Sequence, residues 1–136
     1  MKGAIILSAV AAAASAGYAP LINGGTNSCM VKGAFDSGKY ALQLGSCDDS
    51  AVAQLSFAGK GKALQTADGF CVSVSKGTAG KGVAVVLAKC KPGKVPNTQK
   101  WSQVGSSQWR NGYKMCLDYD SNQKTFVQNA CQDPVP

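Results

Sequence analysis

The feature that most constrains this sequence is a cysteine-bounded pattern that occurs three times. In its clearest copy, Cys71 is followed by alternating apolar residues, a glycine-rich gap and an apolar run that ends at Cys90. The first cysteines of the three copies are Cys29, Cys71 and Cys116, which gives steps of 42 and 45 residues. A repeat of this length indicates three similar units packed together, because a unit so short cannot bury its apolar face alone.

The segments between the cysteines predict short β-strands and no helix of useful length. The run from Val83 to Leu87 is almost purely apolar and β-branched, which is typical of a buried strand. The dipeptides Asp68-Gly69 and Asn111-Gly112 predict tight hairpins, in which both central residues take positive φ. Proline and glycine between Lys91 and Pro96 exclude a helix there. The sequence therefore predicts an all-β domain, with repeats at about 21–58, 63–104 and 108–136.

The sequence of residues 1–16 predicts a secretory signal that is not part of the folded domain. Lys2 gives a positive start, residues 4–14 are small or apolar apart from Ser8, and Ala14-Ser15-Ala16 fits a cleavage site. The apolar run is shorter than the roughly 20 residues of a membrane span. We expect a secreted, extracellular protein in which residues 17–136 form one domain; a buried N-terminal helix is the alternative.

The six cysteines indicate disulfides, because an even number in a short secreted chain is typical of a disulfide framework. Each repeat holds two of them, so the simplest pairing gives one bridge per repeat: Cys29–Cys47, Cys71–Cys90 and Cys116–Cys131. Each bridge would contribute roughly 3 kcal/mol in the chain-entropy account. The chain has no histidine and no Cys-x-x-Cys, which disfavours a zinc site, and we expect no metal and no cofactor.

The chain is basic, and its charge is uneven. Lysine and arginine number 14 against 7 acidic residues, all of them aspartate, for a net charge of +7. Eight lysines and a single acid, Asp68, lie between Lys60 and Lys100. This favours an anionic partner such as an acidic polysaccharide or a membrane surface, with an inert cationic face as the alternative. Nucleic acid is disfavoured, because no motif combines the basic residues with aromatic ones.

Several of these residues together resemble a known family. Cys-Leu-Asp-Tyr at 116–119, Val85-x-Leu87-x-x-Cys90 and Gln99-Lys100-Trp101 look like the repeat of ricin B-chain-type lectins. The resemblance covers about Leu21 to Cys131, and the small secreted format is similar to that of proteins exported by filamentous fungi. It implies a β-trefoil with one disulfide in each repeat, Gln99 and Trp101 as core residues, and binding of glycans or cell-wall polysaccharide.

The resemblance also implies where a sugar would be bound in each repeat. The family uses an acid two residues after the first cysteine, a polar and an aromatic residue before the second, and an asparagine beside the Gln-x-Trp. Repeat three alone has the acid, Asp118, while repeats one and two carry a valine and a serine there. We therefore expect weak or single-site glycan binding, with four candidate residues: Asp118, Asn129, Gln128 and Gln43.

The third repeat has no counterpart of the Gln-x-Trp strand, so we expect either a trefoil with its last strand missing and an unpaired edge, or a sequence that is cut short after Pro136. A catalytic function is not expected, because histidine and glutamate are absent and every cysteine is assigned to a disulfide. The alternative to a lectin is a secreted effector or inhibitor that binds a host protein or an anionic partner. Its contact surface would be a basic face of Lys89, Lys91 and Lys94.

Overall fold

The computed structural model describes residues 5–6, 17–24, 26–105 and 108–132. The predicted secretory signal lies outside the described residues except for Ile5–Ile6. The described part of the chain has no helix long and apolar enough to cross a membrane. A 3-10 turn spans Asn97–Gln99, and the strands are β1 (Ile5–Ile6), β2 (Ile22–Asn23), β3 (Ser28–Asp36), β4 (Lys39–Gly45), β5 (Ser56–Phe57), β6 (Leu64–Gln65), β7 (Phe70–Val74), β8 (Val83–Lys89), β9 (Trp101–Val104), β10 (Gln108–Asn111), β11 (Cys116–Asp120) and β12 (Thr125–Asn129).

Three antiparallel hairpins, β3–β4, β7–β8 and β11–β12, form the centre of the fold. Strand β8 pairs with β4 on one side and with β12 on the other, and β12 also lies against β4. A short strand precedes each hairpin and pairs with its first strand: β2 with β3, β6 with β7, and β10 with β11. The described chain therefore consists of three similar units around a pseudo-threefold axis.

One disulfide closes each unit, and the pairing predicted from the repeat is confirmed. The bridges are Cys29–Cys47, Cys71–Cys90 and Cys116–Cys131, each with a Cα–Cα distance of 4.9 Å. Each joins the first strand of a hairpin to a residue just beyond its second strand. The bridge therefore fixes the two ends of the hairpin at the side away from its turn.

Equivalent positions of the three units supply one shared apolar core. Side chains alternate between the two faces of a strand. The residue after each first cysteine and the residue five places before each second cysteine therefore lie on the same face. These six residues are all buried in one cluster: Met30, Val72, Leu117, Leu42, Val85 and Phe126. No single unit encloses this cluster, so each hairpin depends on the other two to exclude water from its inner face.

Two tryptophans are buried in this core, and their polar groups have different surroundings. The Nε1–H of Trp101 donates a hydrogen bond to the carbonyl oxygen of Val72 at 2.9 Å. Trp109 packs edge-on against Phe57, with ring centroids 4.5 Å apart. Its Nε1–H is buried and has no hydrogen-bond partner among the described residues. Such an unpaired donor carries a desolvation cost of about 1–3 kcal/mol.

Strand β1 takes the place beside β2 that a fourth strand of the third unit would occupy. In units one and two the fourth strands, β5 and β9, pair with the first strand of the following unit, β6 and β10. Strand β1 pairs with β2 in the same antiparallel way and lies near β10 and β11. Residues 130–132 form no strand. The edge of β2 that the sequence predicts to be unpaired is therefore paired with the backbone of Ile5–Ile6.

The hairpin at Asn111-Gly112 is confirmed, but its turn is not the two-residue type that this dipeptide predicts. Strand β10 ends at Asn111, β11 begins at Cys116, and the positive φ falls at Lys114, at 64°. Glycine is needed at 112 for a different reason. A Cβ there would lie 2.6 Å from the Cα of Asn97. A close backbone approach, and not the local dihedral angle, therefore requires this glycine.

The two tryptophans give a matched pair of substitutions. Trp101→Phe removes a ring portion and a satisfied N–H, and it leaves the Val72 carbonyl without its donor. Trp109→Phe removes a similar volume but also an N–H that has no partner. We expect Trp101→Phe to lower the free energy of unfolding by about 1–2 kcal/mol more than Trp109→Phe. Urea denaturation of both variants measures this difference, and equal losses would contradict it.

Removal of residues 1–16 tests the role of β1. Without Ile5–Ile6 the outer edge of β2 has no strand beside it, and unpaired edges favour association between chains. We expect a protein of residues 17–136, which is also the product that cleavage of the predicted signal would leave, to associate in a concentration-dependent way, whereas the uncleaved chain does not. Sedimentation velocity over a range of concentrations distinguishes the two. A 17–136 protein that stays monomeric with unchanged thermal stability would show that β1 contributes nothing.

Candidate functional site

Asp118 and Asn129 lie on paired strands of the third hairpin and hydrogen-bond to each other. Nδ2 of Asn129 donates to Oδ2 of Asp118 at 3.0 Å, and the backbone N–H of Tyr119 donates to Oδ1 at 2.8 Å. Both side chains are half-buried. The carboxylate is therefore held in one orientation, and each oxygen keeps a further lone pair for another donor.

The loop between β7 and β8, residues 75–82, packs against this pair from the neighbouring unit. The N–H of Gly82 lies between two acceptors on β12, the carbonyl oxygen of Gln128 at 2.8 Å and Oδ1 of Asn129 at 3.2 Å. A Cβ on Gly77 would lie 3.1 Å from the hydroxyl of Tyr113, so the loop also follows the β10–β11 turn. Unit two therefore forms one side of the candidate site in unit three.

This arrangement suits recognition of neighbouring hydroxyl groups. A carboxylate fixed by two protein donors can accept further hydrogen bonds from a ligand, and charge-assisted bonds are stronger than neutral ones. Asn129 holds Asp118 in place and is itself held by Gly82. The position two residues before Cys131, where the family resemblance would place an aromatic platform, is Asn129 itself. The site therefore offers polar contacts and lacks the expected stacking surface.

Gln128, a candidate ligand from the sequence, is fully buried in the interior. It stands three residues before Cys131, and the same position in units one and two is occupied by Leu44 and Leu87. Side chains alternate along a strand, so this residue points inward when Asn129 points outward. We therefore leave Gln128 out of the group that could contact a ligand.

The amide of Gln128 instead ties the 75–82 loop to the third unit. Its Nε2 donates to the carbonyl oxygens of Thr78 at 2.6 Å and Gly80 at 2.8 Å. Its Oε1 accepts a hydrogen bond from Nδ2 of Asn111 at 2.7 Å. Oδ1 of Asn111 in turn accepts the backbone N–H of Tyr113 at 2.8 Å. A buried polar network that is satisfied in this way fixes the position of the loop.

Repeats one and two do not bring comparable groups together. Gln43 is exposed on β4, directly opposite Val31 on β3. Val31 and Ser73 stand at the acid positions of their repeats, and both are buried. The Ser73 hydroxyl donates to the carbonyl oxygen of Val74 at 3.3 Å. Gln43 therefore lies beside an apolar side chain, with no carboxylate at the position that corresponds to Asp118.

The fold and the position of Asp118 can be compared with known proteins. A family model described as the ricin-type beta-trefoil lectin domain matches residues 17–135. The chain belongs to this family. A search of the curated proteins gave no match. The three disulfide-closed units are thus the β-trefoil of a ricin-type lectin domain, a carbohydrate-binding fold.

In this lectin domain the glutamine of the Gln-x-Trp motif fixes the loop that carries the basic face. Oε1 of Gln99 accepts the backbone N–H of Lys91 at 3.0 Å, and its Nε2 donates to the carbonyl oxygen of Lys89 at 3.1 Å. Gln99 is buried, whereas Lys89, Lys91 and Lys94 are all exposed. The motif therefore holds the backbone in place and leaves the three amines in solvent.

The contribution of the 75–82 loop could not be found from the sequence. Gly82 and Asn129 are 47 residues apart, and the loop contains only small residues and lysines with no family motif. One possible signal is the polar Gln128 at a position that is leucine in the other two units. Across the described ranges, no three metal-ligating side chains come close enough to hold an ion.

Replacement of Gln128 tests whether its network holds the loop. Gln128→Leu restores the residue of the other units but leaves the Thr78 and Gly80 carbonyls and the Asn111 amide without a partner. We expect a loss of about 2–4 kcal/mol in the free energy of unfolding, because several buried polar groups become unsatisfied. The control is Gln103→Leu at an exposed position of β9. Chemical denaturation measures both, and equal effects would contradict the proposed network.

Proposed function

We propose that this protein is a secreted, non-catalytic lectin that binds glycan through a single site in its third repeat. The observation that carries this proposal is the braced Asp118–Asn129 pair. Asp118 stands two residues after Cys116, the acid position of the family, and its carboxylate is fixed by Asn129 and by the Tyr119 N–H. The other two repeats have buried Val31 and Ser73 at this position.

The affinity of this site for a monosaccharide should be low. A shallow sugar site usually combines hydrogen bonds to hydroxyl groups with stacking on an aromatic ring. Here the platform position is Asn129, and the strand offers no aromatic side chain in its place. Without the stacking contribution we expect a dissociation constant on the order of 1 mM, which corresponds to about −4 kcal/mol.

Secretion is supported by the N-terminal sequence and by the disulfides. Residues 1–16 have the charge, the apolar run and the small-residue exit of a signal peptide. The described domain has three disulfides and no free cysteine. Such bridges persist in oxidising compartments and are rare in the cytosol. The expected targets are therefore extracellular glycans or cell-wall polysaccharide.

The residue composition of the chain supports the proposal that the protein is non-catalytic. The sequence contains neither histidine nor glutamate, which supply most general acids and bases. Asp118 is the acid of the candidate site, and both of its oxygens accept hydrogen bonds from the protein. The protein thus positions this side chain as a hydrogen-bond acceptor, which is the role that recognition of hydroxyl groups needs.

A second candidate function is that of an effector or inhibitor that binds an anionic or protein partner through the basic face. The observation that favours it is the exposure of Lys89 at the end of β8 and of Lys91 and Lys94 in the loop that follows, which Gln99 holds in place. Binding through this face should weaken with salt and should be insensitive to free sugar. A pull-down competed with sugar or with salt separates this function from glycan binding.

Asp118→Asn tests the proposed sugar site. The change keeps the side-chain shape and removes the charge, so the hydrogen bonds to sugar hydroxyls become neutral and weaker. We expect binding on a glycan array, confirmed by titration calorimetry, to weaken about tenfold.

The matched control is Asp48→Asn, which removes the same charge from an exposed loop. It should bind like the unmodified protein. Retention of full glycan binding by Asp118→Asn would exclude this site. Absence of any glycan ligand for the unmodified protein, together with a salt-sensitive protein partner, would favour the second candidate function.

A further inference from the structure

The end of the first hairpin carries a surface feature that the lectin site does not use. Phe35 is the second-last residue of β3, and its side chain is 56% exposed. Among the described residues it is the one large apolar side chain that is exposed. Its ring lies 4.6 Å from that of Tyr40, its partner across the hairpin, and Tyr40 lies 5.3 Å from Phe70 on β7. We call Phe35, Tyr40 and Phe70 the aromatic patch.

The fold does not require an aromatic residue at this hairpin end. The corresponding ends of the other two hairpins, residues 75–82 and 121–124, contain none. Tyr40 and Phe70 are half-buried and pack against the core, but Phe35 is the outermost ring of the patch. The register of β3 against β4 shifts between Lys32 and Phe35, and such irregularities re-aim the side chains that follow them.

Charged groups border the patch in a defined arrangement. Nζ of Lys32 lies 5.1 Å from the centroid of the Tyr40 ring. The exposed Lys89, one residue of the basic face, is the cross-strand neighbour of Phe70, so these two side chains lie on one face. Asp36 and Lys39 are exposed and paired across the hairpin end, but strand alternation points them to the face opposite Phe35 and Tyr40. The aromatic patch is therefore continuous with the basic face, and two lysines, Lys32 and Lys89, border it.

We propose that the aromatic patch and its bordering charges form a second binding site, which takes an acidic polysaccharide built of uronic acid units. The exposed Phe35 ring stacks on the apolar C–H face of one pyranose. Lys32 and Lys89 lie where they can pair with the carboxylates of neighbouring units along the chain.

This site is separate from the one in the third repeat and does not depend on it. The position that corresponds to Asp118 in the first repeat is Val31, which is buried. The residues of the patch come from β3, β4 and β7, whereas Asp118 and Asn129 lie on β11 and β12. One site can therefore fail without the other.

The charges favour a polysaccharide over a membrane surface. Insertion of Phe35 into a bilayer would also carry the adjacent Asp36 carboxylate out of water, and an unpaired charge is costly to bury. On a glycan that lies against the ring of Phe35, the same carboxylate stays in water. The net positive border formed by the lysines then selects polymers that carry negative charge.

The test uses hexagalacturonate as the acidic probe and cellohexaose as the neutral one, with binding followed by titration calorimetry. We expect the protein to bind hexagalacturonate and to bind cellohexaose at least tenfold more weakly. Phe35→Leu keeps an apolar side chain on the hairpin without an aromatic face, and it should weaken hexagalacturonate binding about tenfold because a stacked anchor is lost. Phe35→Tyr should retain the affinity.

Charge variants complete the experiment. Lys89→Gln should weaken hexagalacturonate binding, whereas Lys60→Gln, an equal change of charge at an exposed position outside the patch, should not. Salt of about 0.5 M should reduce the affinity, because exposed charge pairs are screened. Asp118→Asn should leave hexagalacturonate binding unchanged, and the circular dichroism melting curve of each variant verifies that it is folded.

Five results would overturn the proposal. Unchanged affinity in a folded Phe35→Leu variant would exclude the patch, and lack of hexagalacturonate binding would exclude the acidic ligand. Equal binding of cellohexaose would exclude selection by charge. Loss of hexagalacturonate binding in Asp118→Asn would show that the third repeat, and not a second site, binds the polymer. Capture of the protein by phosphatidylserine vesicles without any glycan binding would assign the patch to a membrane surface instead.

Discussion

Each hairpin of this domain needs the other two in order to bury its inner face, and the rest of the structure depends on that constraint. Met30, Val72 and Leu117 follow the first cysteines of their units and meet in one apolar cluster. The disulfide of each unit joins the two strands of its own hairpin and makes no link to the other two units. The bridges restrict the unfolded chain, and the shared core decides how the three hairpins are placed.

The same scaffold position can serve different purposes in the three units. Leu44, Leu87 and Gln128 all stand three residues before the second cysteine of their unit. The leucines pack into the core, whereas Gln128 bonds the carbonyls of Thr78 and Gly80 and so holds the loop of one unit against the next. An amide is tolerated in the interior because all of its strong hydrogen-bonding groups have partners.

The residue at the acid position can differ between the three units, because this position and the shared core use opposite faces of the strands. The acid position holds a valine, a serine and an aspartate in the three units, and the hairpins are alike in spite of this. The residue at this position is therefore free to differ, even where it is buried in a separate cluster as Val31 is, while the shared core is kept. The aromatic patch on the first hairpin and the basic face on the second are differences of this kind between units that share one architecture.

The sequence by itself determined the all-β class, the three repeats, the disulfide pairing and the acid at Asp118. These follow from local spacing, from strand alternation and from a family motif that is contiguous in the chain. Other features depended on contacts between residues far apart in the sequence, and only the tertiary structure decided them. The burial of Gln128, the loop beside Asn129, the backbone contact that requires Gly112, the pairing of β1 with β2 and the meeting of Phe35 with Phe70 are of this second kind. Each depends on how the three hairpins pack against one another, and a pattern read along one strand contains no information about its neighbours across the threefold axis.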